Sequence, residues 1–101
     1  VSRVRVLIYA AAPESDTGGV TEAYHRISAE LSGTPGLLGN ELMQSLGEAR
    51  SFVVMSEWAD LDAFRKWETG PDHRGTTSPL RPYQDASRGS AFGLYQVVAS
   101  Y

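Results

Sequence analysis

Residues Phe52 to Arg74, FVVMSEWADLDAFRKWETGPDHR, constrain the fold more than any other stretch of the chain. Phe52, Val54, Ser56 and Trp58 alternate with Val53, Met55 and Glu57, which predicts a strand over 52–58. Asp60 is placed to cap a helix, and Leu61, Phe64 and Trp67 then fall on one face of a helix over 61–68. Gly70-Pro71 ends it. A strand must therefore turn directly into a helix, with two tryptophans, a histidine and an arginine gathered near one end of a small core.

The remaining periodicities fit around this unit. Val4, Val6 and Ile8 alternate with Arg5, Leu7 and Tyr9, predicting a strand over 3–12. Residues 13–19 form a loop and helix start, with Asp16 or Thr17 as the cap. Val20, Tyr24, Ile27 and Leu31 recur at three and four, so a helix runs to Ser32-Gly33. After a turn at Thr34-Pro35-Gly36, Leu37 to Leu46 reads as a second strand with Leu38, Asn40, Leu42 and Gln44 on one face. A short connection over 47–50 makes strands two and three an antiparallel hairpin. Residues 72–88 are the least periodic, with a short helix near 73–77 and an ordered loop around Pro79 and Pro82. Ala91 to Ala99 reads as the last strand. The order β-α-β-β-α-β is the ferredoxin-like split arrangement, an α+β fold with an antiparallel sheet. At 101 residues this is one domain over 1–101.

Helices in this topology cover one sheet face. Val53 and Met55 on strand three and Tyr95 and Val97 on strand four make the other face apolar as well. A sheet apolar on both faces needs cover on both, which predicts a homodimer with sheets packed face to face. A monomer with scattered surface apolars is the competing reading.

Composition removes several function classes. Net charge is -3 with no basic block, which argues against nucleic acid as a partner. With no cysteine, disulfides, Cys-ligated zinc and thiol catalysis are excluded. No apolar run reaches the roughly 18 residues of a membrane helix, and the N-terminus alternates like a strand rather than a signal peptide. The expected location is the cytoplasm, with no membrane partner.

Thr34-Pro35-Gly36-Leu37-Leu38-Gly39, Phe52 to Trp58, Ala63-Phe64 and Pro71-Asp72-His73-Arg74, in that order and spacing, resemble the antibiotic biosynthesis monooxygenase family. The likeness covers residues 3–100. It implies a dimeric α/β barrel of two ferredoxin-like domains, with a pocket between helices and sheet in each subunit. Some members oxidise anthrones to quinones with dioxygen and no metal or flavin; some degrade haem; others act on or bind quinols. In the anthrone oxygenases an asparagine lies four residues before the strand-end tryptophan and a tyrosine six after it. Trp58 keeps the tryptophan, while Val54 and Phe64 occupy the other two positions. In the haem degraders a helix tryptophan is followed nine or ten residues later by a histidine. Trp67 keeps the tryptophan, but Thr76 or Thr77 stands at the histidine position and cannot supply the axial ligand that iron needs.

His73 is the candidate catalytic base, since imidazole accepts a proton near neutral pH; a helix-cap or surface histidine is the alternative. Trp58, Trp67 and Phe64 are candidate walls for a flat substrate, or core packing. Asn40, on the expected helix side of strand two, can bond a ligand carbonyl or a neighbouring loop. Tyr24 shares the apolar stripe of the first helix and is a further substrate contact, whereas His25, about 100° round, falls at its edge. Arg74 and Arg81, with Tyr83, lie over the pocket mouth and suit a phenolate or carboxylate; the alternative is a salt bridge to Asp72 or Asp85. No metal site and no cofactor are expected. The leading reading is a cofactor-independent monooxygenase that uses dioxygen on a small aromatic substrate, a polyketide-type phenol, anthrone or quinol. A non-oxidative ligand-binding or cyclase-like dimer is the second, and a haem-binding protein the third.

Overall fold

A computed structural model of the chain describes residues 2–16, 18–71, 73–87 and 89–101. The side chains of His73 and Arg74 lie outside the described residues, as do Thr17 and Asp72, so the expected base and one expected ligand contact fall there. The elements are β1 (Val4–Ala11), α1 (Gly19–Leu31), β2 (Leu37–Gln44), β3 (Ser51–Trp58), α2 (Leu61–Glu68), α3 (His73–Thr77), a 3-10 turn (Ser78–Tyr83) and β4 (Phe92–Gln96). All pairings are antiparallel, in the order β2-β3-β1-β4. This is the ferredoxin-like α+β arrangement expected from the order of periodicities.

Local chemistry explains where the observed boundaries depart from the pattern. Strand two stops at Gln44 rather than Leu46, because the Ser45 hydroxyl accepts the backbone N–H groups of Gly47 and Glu48 and bends the chain. Leu46 is left fully exposed. The register shifts between Leu37 and Gly39. The bulge puts Leu37, opposite Trp58, on the helix side with Asn40 and Leu42, and leaves Leu38 56% exposed instead of facing the core. Strand four ends at Gln96 opposite Val4, the first residue of β1; among the described residues the bond from Val97 N–H to Arg3 O is the last between the two strands.

The expected cap on α1 is also corrected. Gly18 holds the N-cap position with no side-chain bond. Asp16 instead accepts the Tyr83 hydroxyl at 2.7 Å. A Cβ on Gly19 would run into that hydroxyl, so the glycine makes room for the bond. On α2 the expectation holds: Asp60 accepts Ala63 N–H at 2.8 Å.

The core divides into two clusters on the helix side of the sheet. One lies under α1 and includes Ala10, Val20, Ile27, Phe52, Val54 and Leu80. The other lies under α2 and consists of Val4, Val6, Trp58 and Phe64. Ile8, Leu37 and Trp67 pack against both. On the opposite face Leu7, Tyr9, Val53 and Met55 are half-buried, and Met43 and Tyr95 are exposed. Among the described residues no helix is long and apolar enough to cross a membrane.

Candidate active site

The seam between the two core clusters is where the site forms. Trp58 ends β3 and points under α2, whose Phe64 and Trp67 close on it with ring centroids 5.6 and 5.5 Å away. The Phe64 contact is edge-on at 70°, the arrangement that aromatic quadrupoles favour. Trp58 is 1% exposed, and its indole N–H donates to Ser56 Oγ at 3.0 Å. Behind these rings lies a largely enclosed chamber of about 40 Å³. Its walls include Tyr24 and Ile27 of α1, Asn40 of β2, Val54 and Ser56 of β3, and Leu80 of the 3-10 turn.

The chamber adjoins a wider cleft of about 190 Å³ that opens to solvent. Val6, Ile8, Phe64, Trp67 and Thr77 line both spaces. Glu68, Arg81, Gln84, Ala91 and Phe92 complete the mouth. One residue of β1 anchors its rim: Tyr9 O accepts Asp85 N–H, and Tyr9 N–H donates to Ala91 O, both at 2.9 Å. Asp85 and Ala91 are thus held to the same residue of β1, and the neighbouring Ala10 pairs with Gln84.

The sequence candidates separate into three groups. Phe64 and Trp67 line both spaces; Trp58, Tyr24 and Asn40 line only the chamber; Arg81 lines only the mouth. Asn40 is engaged within the fold: Ser28 Oγ donates to its Oδ1 at 3.1 Å, and Tyr24 Oη donates to its backbone carbonyl at 3.2 Å. Arg81 donates to Thr77 Oγ1 at 3.4 Å. His25 is exposed and stands edge-on to Tyr24, as its helical position implied. His73 opens α3 four residues before Thr77.

Sequence reasoning missed Ser28, Ser56, Thr77, Gln84 and Glu68. Ser56 was legible as a small polar residue between Val54 and Trp58 on the helix face. Thr77 was not, because its segment has no periodicity, yet Thr76 and Thr77 are both buried. Glu68 bonds Arg65 at 2.7 Å, which balances its charge at the mouth that Arg81 also lines. Three wider grooves of about 540–570 Å³ lie open on the surface, one of them along α2 between Gly36 and Pro71. Among the described residues no three of His, Asp and Glu gather as a metal site.

The sequence profile of antibiotic biosynthesis monooxygenases matches residues 3–77. The chain belongs to the antibiotic biosynthesis monooxygenase family. Among curated relatives, Protein SchA of Streptomyces halstedii is 28% identical over 98 residues, which is 97% of this chain and 26% of SchA. A 42.8 kDa protein in the whiE locus of Streptomyces coelicolor is 30% identical over 78% of this chain and 20% of its own length. The chain thus spans about a quarter or less of these relatives. Among solved structures, a mutant of SnoaB, a cofactor-independent oxygenase from Streptomyces nogalater, aligns with a TM-score of 0.82 at 20% identity, covering 99% of this chain and 97% of SnoaB. A conserved protein from Methanosarcina mazei aligns at 0.76 with 13% identity, covering 93% and 91%. At these identities the structural matches establish the fold.

Proposed function

We propose that this family member is a cofactor-independent monooxygenase of a polyketide pathway, acting on a phenol, anthrone or quinol with dioxygen, and that it works as a homodimer in the cytoplasm. The observation that carries the reading is the cleft between helices and sheet. Aromatic and aliphatic side chains wall it, Arg81 stands at its mouth, and it adjoins a largely enclosed chamber. Few polar groups on an apolar wall is the usual make-up of a small-molecule site. The SnoaB fold match and the relatives from Streptomyces support the same assignment.

In the oxidation of an anthrone methylene, one atom of dioxygen becomes the quinone carbonyl oxygen. The other leaves as water with the two methylene hydrogens. The protein's part is to remove a proton so that the ring carries a carbanion or phenolate able to give an electron to dioxygen. His73 is the base in this scheme, Phe64 and Trp67 hold the ring, and Arg81 neutralises the phenolate oxygen. Arg74 is assigned a second oxygen contact. Trp58, Tyr24 and Asn40 form the wall behind. Removing a general base typically costs about 10²-fold or more. His73→Ala should lower dioxygen uptake with an anthrone or quinol by that order; unchanged uptake would overturn the base assignment.

One observation favours a second reading, a ligand-binding or cyclase-like dimer without oxidation. Val54 and Phe64, at the positions where the anthrone oxygenases carry an asparagine and a tyrosine, supply only carbon to the chamber and the cleft. Tight binding of a polycyclic phenol with no dioxygen consumed would select that reading. Uptake stoichiometric with loss of the phenol would exclude it.

A further inference from the structure

We infer that the largely enclosed chamber behind Phe64 and Trp67 is a dry binding site for a small apolar gas molecule, and that its natural occupant is dioxygen held directly behind the substrate cleft. The volume is the first support. At about 40 Å³ the chamber is too small for a ring, yet it exceeds roughly threefold the ~10–15 Å³ that one water requires.

The chemistry of the wall is the second support. The surface it presents is almost entirely carbon, from residues such as Val6, Ile27, Val54 and Leu80. Three of the polar hydrogens nearby are turned to partners within the fold. Tyr24 Oη donates to Asn40 O, Ser28 Oγ to Asn40 Oδ1, and Trp58 Nε1 to Ser56 Oγ. A buried water needs two to four polar partners, and apolar cavities without them stay empty and take up apolar guests such as xenon. Dioxygen is apolar and meets no such requirement.

Position is the third support. The chamber shares Val6, Ile8, Phe64, Trp67 and Thr77 with the cleft, so a guest there sits one side chain away from a ring lying on Phe64 and Trp67. The naming of dioxygen rests on the oxygenase reading above; the dry gas site does not.

Xenon tests the site without turnover. Crystals of the wild-type chain under xenon pressure should show an anomalous peak between Ile27, Val54 and Trp58. Absence of that peak, or an ordered water in its place, would overturn the site. Val54→Asn, which brings an amide into the wall, should lose the peak, while Val54→Ala, which enlarges the chamber, should strengthen it; a peak unchanged in both variants would place the xenon elsewhere. Turnover kinetics test the occupant separately. If an aromatic substrate is oxidised, Val54→Leu should raise KM for dioxygen several-fold while leaving KM for the aromatic unchanged. Equal effects on both would overturn dioxygen as the guest while leaving the xenon result standing.

Discussion

Gly36 and Tyr83 each act through one atom. Gly36 has φ +82, where an L side chain costs about 1–2 kcal/mol, and a Cβ there would also collide with Ala63 Cβ on α2. Its carbonyl accepts Ala59 N–H at 2.8 Å, tying the start of β2 to the β3–α2 turn. Gly36→Ala should therefore lower the urea midpoint by at least the backbone cost, and Ala63→Gly should recover only the steric part. Full recovery in the double variant would show that φ carries no penalty. Tyr83 bonds Asp16, and that hydrogen bond, then desolvation and the Asp16 charge, raises the phenol pKa above its usual 10.0. A raised folded pKa means that the bond's contribution is complete below about pH 10, the unfolded tyrosine value, and is lost as pH rises through the folded value. Wild type should be more stable than Tyr83→Phe at neutral pH, and the gap should narrow above pH 10. A Tm difference that stays constant across that range would rule out the linkage.

Among the elements, α2 depends most on its ends. It has only eight residues, too few to be stable alone, so capping and the burial of Phe64 hold it. Losing an aspartate N-cap typically costs about 1 kcal/mol. Asp60→Ala should destabilise the fold by that order, and Asp60→Asn should restore most of it, measured by denaturant unfolding. Equal losses in the two variants would show that the side-chain bond to Ala63 is not what matters. The Phe52–Trp58 strand, the Asp60 cap and the α2 stripe were all legible in sequence because each is a local pattern. The β2 bulge was not, since it arises from pairing between strands: one extra residue at Leu38 moves Leu37 inward and reverses the expected facing. The 3-10 turn over Ser78–Tyr83 likewise lies in a segment with two prolines and no period.

At the scale of the whole molecule, uncovered apolar surface lies on the sheet face away from the helices. Leu7, Tyr9, Val53 and Met55 are only half-buried within the chain, and Met43 is 43% and Tyr95 54% exposed. Such a continuous apolar stripe is the mark of an interaction surface, and the proposed homodimer would cover it with its own copy. Sedimentation should find wild type as a dimer, with Met55→Lys shifted to monomer and its Tm lowered. A wild-type monomer at all accessible concentrations would overturn the proposal. At this scale the candidate site was only partly legible. Phe64 and Trp67 were visible as a helical stripe, but the division of candidates between mouth and chamber depends on which residues from β1, α1, β3 and the 3-10 turn meet in space.

By itself the sequence determined the order of elements, the pairing of a strand with the helix that follows it, the acidic cap and the two apolar sheet faces. Each depends on residues a few positions apart, where side-chain period and capping chemistry decide the outcome. Tertiary structure alone decided that Trp58 is enclosed while Trp67 borders the cleft, that Asn40 bonds Ser28, that Asp16 meets Tyr83, and that two core clusters leave a carbon-lined space between them. Those outcomes come from packing between residues distant in the chain, where volume and register, rather than local period, determine what each side chain touches.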